Sequence, residues 1–134
     1  MPAPFEQQVT FIYASDPERS WRFYGETLGL ELALDQGACR IYRVAGREGF
    51  LGVCRARAET PPPPDRAPRG IVLTLVTPDV DGWYELLSSR GVAFDTKPAH
   101  SERFNVYSCF FRDPDGYLLE LQRFLAPEWP IPRR

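Results

Sequence analysis

The chain carries one local plan twice, and that repetition narrows its fold more than any other feature. Val9–Ala14 is a β-rich run that stops at Ser15-Asp16-Pro17. Aspartate at this point caps a helix by accepting a hydrogen bond from a first-turn N–H, and proline suits the first helical position because its missing donor would go unused there. Trp21, Tyr24 and Leu28 then recur at helical spacing, Gly29 closes the helix, and Leu30–Leu34 follows as a strand. The same order begins again at Ile71–Val76. Pro78-Asp79 opens a second helix whose buried stripe is Val80, Trp83, Leu86 and Leu87; Gly91 closes it, and Val92–Phe94 starts the next strand. Thirteen residues separate Asp16 from Gly29 and twelve separate Asp79 from Gly91, while the two capping aspartates lie 63 residues apart. Two equal strand-helix-strand units in so short a chain indicate an internal duplication.

Further strand runs complete each unit: Cys39–Ala45 and Phe50–Ala56 in the first, Asn105–Arg112 and Tyr117–Phe124 in the second. The expected architecture is therefore α+β, with two tandem βαβββ modules over residues 5–57 and 69–125. Residues 58–68 include four consecutive prolines. Proline offers no N–H to a ladder, so this stretch reads as a stiff, extended connector. Residues 126–134 read as an irregular tail in which Trp129 packs back onto the body or onto a second subunit.

Composition removes several functional classes. With 134 residues and 43% hydrophobic content, the chain suits one globular domain or two half-domains sharing a core. A net charge of −2 with no basic stripe argues against nucleic acid. No apolar run approaches the roughly 20 residues of a membrane span. Met1-Pro-Ala-Pro leads to Glu6 rather than to the apolar segment of a secretory signal, so the expected location is cytoplasmic. Cys39, Cys54 and Cys109 are odd in number and lack CxxC spacing, which predicts reduced, buried thiols. His100 is the single histidine, so no multi-histidine metal site can form within one chain.

The second module ends in Phe110-Phe111-Arg112-Asp113-Pro114-Asp115-Gly116-Tyr117-Leu118-Leu119-Glu120-Leu121-Gln122. Asp-Pro-Asp-Gly is turn chemistry between two strand runs, which predicts a β-hairpin. Leu118, Glu120 and Gln122 share one face of its second strand, and Leu119 and Leu121 the other. Taken alone, Glu120 lies either on a solvated face or in a pocket.

The ordered phrases Ser15-Asp16-Pro17-Glu18-Arg19-Ser20-Trp21-Arg22-Phe23-Tyr24, Thr27-Leu28-Gly29-Leu30, Pro78-Asp79-Val80 and Asp113–Leu121, with the module spacing, resemble the vicinal oxygen chelate superfamily over residues 8–124. That family contains glyoxalase I, bleomycin-resistance proteins, fosfomycin-resistance enzymes and extradiol dioxygenases. The resemblance implies that each module curls its mixed sheet into a cup, with the helix on the convex side and ligand on the concave face. It turns Glu120 inward, where the family commonly uses it as a metal ligand. It also implies a homodimer.

The other family ligands are missing. Two belong on first strands, seven residues before each capping aspartate, where this chain has Val9 and Val72. A glutamate belongs on the last strand of the first module, which reads Phe50-Leu51-Gly52-Val53-Cys54. Valine has no lone pair to give a cation, so no metal site is expected. A bulge would bring Gln8 into the place of Val9, whereas a plain register slip would flip every side chain to the other face.

Strand parity then places Val9, Phe11 and Tyr13 in one cup and Val72, Thr74 and Val76 in the other. Val106, Ser108 and Phe110 face inward with Leu118, Glu120 and Gln122. Either Arg40, Tyr42 and Val44 or Cys39, Ile41 and Arg43 join them. His100, in the loop before the hairpin, covers the cup mouth or lies on the surface. The expected ligand-binding set is Phe11, Tyr13, Thr74, Ser108, Phe110, Leu118, Glu120 and Gln122, an apolar pocket with a few polar groups. The expected function is binding of a small organic molecule without metal or other cofactor, by sequestration or as a metabolite-binding module. The alternative is a lyase, isomerase or dioxygenase that uses an atypical divalent-metal site or Glu120 as catalytic acid or base.

Overall fold

Asp16 accepts a hydrogen bond from the Arg19 N–H at 3.2 Å, and Asp79 one from the Gly82 N–H at 3.0 Å, so both aspartates cap as their spacing predicts. Gly29 and Gly91 take φ of +79° and +90°, the left-handed closure that residues with a Cβ resist. The computed structural model describes residues 2–56 and 71–130. They fall into two compact units, the first built from the N-terminal half together with Asp113–Gly116, the second from the remainder. The expected connector 58–68 lies outside the described residues, as do residues 131–134 of the expected tail.

The first unit contains β1 (Gln8–Ala14), α1 (Pro17–Arg22), β2 (Glu31–Asp35), β3 (Cys39–Ala45) and β4 (Gly49–Arg55). The second contains β5 (Leu73–Val76), α2 (Val80–Ser89), β6 (Ala99–Ser101), β7 (Val106–Arg112) and β8 (Leu118–Phe124). Each sheet is mixed and has four strands, in the orders β1-β4-β3-β2 and β5-β8-β7-β6. The first strand of each runs parallel to the last, and the other pairings are antiparallel. This is the expected pair of βαβββ modules.

Each sheet buries one face. In the first unit Ile12, Ala14, Tyr42, Leu51 and Val53 are buried, with Trp21, Tyr24 and Leu28 of the helical segment. The Trp21 indole N–H donates to the Val53 carbonyl at 2.8 Å, and the Tyr42 hydroxyl to the Trp21 carbonyl at 3.3 Å. In the second unit Cys109, Phe111, Leu119 and Leu121 are buried with Val80 and Leu87 of α2. The opposite strand faces keep large apolar side chains exposed, among them Val9, Phe11, Tyr13 and Val76. Trp129 of the tail stacks on Phe124 with ring centroids 3.7 Å apart, which selects packing onto the body.

Several expectations need correction. The first helix is not uniform: Phe23–Thr27 forms a π-helical turn after α1, with the Leu28 N–H reaching the Phe23 carbonyl at 2.8 Å. Gly25 sits in that turn, where an added Cβ would press against the Tyr42 ring at 3.4 Å. Leu86 is exposed rather than part of the α2 stripe. Tyr84 takes that role, its ring 4.6 Å from Phe94, because residues 80, 84 and 87 fall on one helical face. Phe94 makes only an isolated bridge to Phe111, and the second-module strand forms at Ala99–Ser101 instead. Pro98 supplies no N–H, so the ladder restarts beyond it. His100 consequently lies on β6 opposite Tyr107, not in a loop.

The cysteines also differ from expectation. Cys39 and Cys54 are register partners on β3 and β4, and they form a disulfide. Antiparallel pairing sets two such side chains side by side on one face, a proximity invisible in their separation of 15 residues. Cys109 is free and fully buried, and burial pushes its thiol up to about 11. Alkylation read by mass is expected to add no group to the native unreduced chain at neutral pH. It should add one after denaturation and three after denaturation with reduction. Three additions without reductant would show that the Cys39–Cys54 bond is absent in solution. Among the described residues, no helix is long and apolar enough to cross a membrane.

Candidate functional site

Glu120 is 8% exposed, yet it points away from the helix-bearing side on which Leu119 and Leu121 are buried. Its neighbours follow from register: β5 pairs Thr74 with Glu120, and β7 pairs Phe110 with Glu120 and Ser108 with Gln122. The Thr74 hydroxyl donates to Oε1 at 2.9 Å, and the Gln122 side-chain amide to Oε2 at 2.7 Å. A buried carboxylate needs such partners, since desolvation without them is costly. Both donors are neutral. Arg112, the arginine next along β7, holds Asp95 at 2.9 Å. Glu120 is thus neither on a solvated face nor in an ion pair with that arginine. Thr74, Ser108, Phe110, Leu118, Glu120 and Gln122 share the open face of the second sheet.

Phe11 and Tyr13 occupy the open face of the first sheet. The two alternatives for β3 resolve there: Tyr42 turns to the helix, while Arg43 packs over Phe50 at 5.5 Å, so Cys39, Ile41 and Arg43 share the open face. Sequence reading passed over Gly52. Glycine inside a strand signals a close approach, and here the approach is the Phe11 ring, which an added Cβ would strike. β1 pairs Phe11 with Gly52 as β5 pairs Thr74 with Glu120, and Phe11 and Thr74 each stand five residues before a capping aspartate. The duplication therefore maps Gly52 onto Glu120, with an aromatic ring over the first position and a carboxylate at the second.

These positions do not fit a divalent cation. Val9, Val72 and Gly52 carry no side-chain donor atom, so of these positions Glu120 alone has oxygens to offer a cation. Among the described residues, no three His, Cys, Asp or Glu side chains gather where they could hold a metal ion. The bulge that would have brought in Gln8 is not present: β1 pairs with β4 without interruption from Gln8 to Ala14. Gln8 therefore faces the side opposite Val9.

The Asp-Pro-Asp-Gly turn does more than reverse the chain. The Asp113 carboxylate, buried at 6% exposure, accepts from the Tyr24 hydroxyl at 2.8 Å and from the Asp115 N–H at 2.9 Å. Asp115 accepts from the Ser15 hydroxyl and N–H and from the Ser20 hydroxyl, and it pairs with Arg19 at 3.8 Å. The phrase beginning at Ser15 and the phrase beginning at Asp113 are two halves of one hydrogen-bonded cluster.

Comparison with known families decides the lineage. The model of the Glyoxalase/Bleomycin resistance protein/Dioxygenase superfamily matches residues 7–121. The chain belongs to that superfamily. Among similar proteins, the uncharacterized protein YraH of Bacillus subtilis (strain 168) is 26% identical over 124 residues, covering 85% of this chain and 94% of its own. The superfamily fold recurs in the crystal structure of TnmS3, an antibiotic binding protein from Streptomyces sp. CB03234, with TM-score 0.73 and 29% identity; the match covers 92% of this chain and 98% of that one. A lactoylglutathione lyase from Agrobacterium tumefaciens has TM-score 0.69 and 23% identity, covering 97% and 100% of the two chains, a likeness of fold.

Proposed function

We propose that this superfamily member binds a small organic molecule without metal, on the open sheet face that carries Glu120. One observation carries the reading: a buried carboxylate is held by two neutral donors among apolar neighbours, while the positions that would complete a metal site lack donor atoms. Phe110 and Leu118 supply apolar contact, and Ser108, Thr74 and Gln122 fix orientation. On the first unit, Phe11 and Tyr13 offer exposed aromatic surface suited to the same class of ligand. The antibiotic-binding relative at 29% identity supports an antibiotic-like small molecule as the ligand class. Exposed apolar side chains on strand faces also suit a second copy of the chain, and the proposal includes a homodimer.

Chelator-treated protein titrated with aromatic antibiotics and phenolic metabolites, followed by tryptophan fluorescence, is expected to show saturable binding that added metal leaves unchanged. Binding that appears only after Zn, Ni, Mn or Fe is restored would overturn the metal-independent reading. Sedimentation equilibrium of the same preparation should give a dimer at micromolar concentration, and a pure monomer would remove that part.

A further inference from the structure

The helix-bearing side of the first sheet contains a cleft of about 530 Å³, within the size range of small-molecule sites. It is lined by Trp21, Arg22 and Gly25 of the helical segment and by Leu32, Arg40 and Tyr42 of β2 and β3. Alternation along β3 puts Arg40 and Tyr42 on the face opposite Ile41 and Arg43, so this cleft is separate from the open face of the first sheet. We propose that it is a second binding site, for a small planar organic carboxylate.

The Arg40 guanidinium lies over the Trp21 ring at 4.5 Å, a contact that orients the planar group. Its Nε is buried and has no hydrogen-bond acceptor among the described residues. The Arg40 side chain as a whole is 38% exposed, so the guanidinium stays reachable from the cleft although Nε itself is shielded. Asp35 comes no nearer than 3.6 Å, because the Gly37 N–H holds its other oxygen at 2.8 Å. Glu18, also on the cleft, is taken by Arg55 at 3.0 Å. Arg22 and Arg40 thus share the cleft with the Glu26 carboxylate, while Asp35 meets Arg40 only at the longer distance. A planar carboxylate matches the guanidinium fork in charge and geometry, and Leu30 and Leu32 offer apolar contact to an aliphatic or aromatic body. The π-helical turn contributes Gly25 and Glu26 to the lining of this cleft. Such turns recur at functional sites.

The test is a nitrogen-proton NMR titration of the whole chain with benzoate, using benzamide as the neutral analogue. Shielding of the Arg40 Nε–H and of the Trp21 indole N–H, which is bonded to Val53, slows exchange and makes both signals usable reporters. Benzoate is expected to shift both signals saturably, with the Thr74 and Gln122 amides unmoved, and benzamide should bind at least about tenfold more weakly. Arg40→Gln should weaken benzoate by at least about tenfold, read at Trp21. If that variant does not fold, Arg22→Gln should weaken benzoate several-fold. Absence of saturation, equal affinity for benzamide, unchanged affinity in the folded variant, or shifts centred on Thr74 and Gln122 would each overturn the proposal.

Discussion

Asp115→Ala is expected to lower the free energy of unfolding by about 2 kcal/mol, measured by urea denaturation with an unchanged slope. The side chain is only 4% exposed and accepts from both hydroxyls and the backbone N–H presented by Ser15 and Ser20. Hydrogen bonds to a charged group are worth more than neutral ones, and alanine leaves the buried Ser20 hydroxyl without its acceptor while the exposed Ser15 donors turn to water. The 3.8 Å contact with Arg19 adds little, because that arginine is about half exposed. Asp115→Asn keeps the shape and one acceptor oxygen, so its loss should be intermediate. A loss under about 1 kcal/mol for the alanine variant would mean that the cluster does not hold the turn.

Glu120→Gln should separate binding from stability. Its new amide NH₂ meets either the Thr74 hydroxyl, which can turn to accept, or Gln122, whose amide can flip to present oxygen. The stability change is therefore expected to stay within about 1 kcal/mol. Affinity for a ligand that donates to the carboxylate should fall by roughly 10- to 100-fold, the worth of a charge-assisted hydrogen bond. Calorimetric titration against the best ligand of the chelator-treated screen measures it. Unchanged affinity would place the ligand away from this face. Affinity kept with a turnover step lost would make Glu120 a catalytic acid or base rather than a binding contact.

Much of this face could be read from residue order. Parity along Val106–Arg112 and Leu118–Phe124 depends only on alternation, so the shared face of Ser108, Phe110, Glu120 and Gln122 was legible once the hairpin was recognised. Counting back from two capped helices reached Val9 and Val72, and with them the missing metal donors. For β3 the same logic failed, because Arg40-Tyr42 and Cys39-Ile41-Arg43 are comparably amphipathic sets. The choice came from Trp21 and Val53, whose hydrogen bond seats the helix on one side of the sheet. The Cys39–Cys54 bond, the ladder restarting at Ala99 and the Phe11 ring over Gly52 likewise depend on pairing register, which no local window contains.

The sequence by itself determined the local chemistry: two capped helices, a duplicated βαβββ order, a tight Asp-Pro-Asp-Gly turn, and no lone pairs at the first-strand positions. Each depends on residues within a few positions of one another, where backbone preferences and capping act directly. Only the tertiary structure decided what the carboxylates do. Glu120 finds Thr74 across 46 residues, and Asp115 finds Ser15 across 100. Contacts at such separation are selected by register and burial together, so their partners become visible only when the chain has closed on itself.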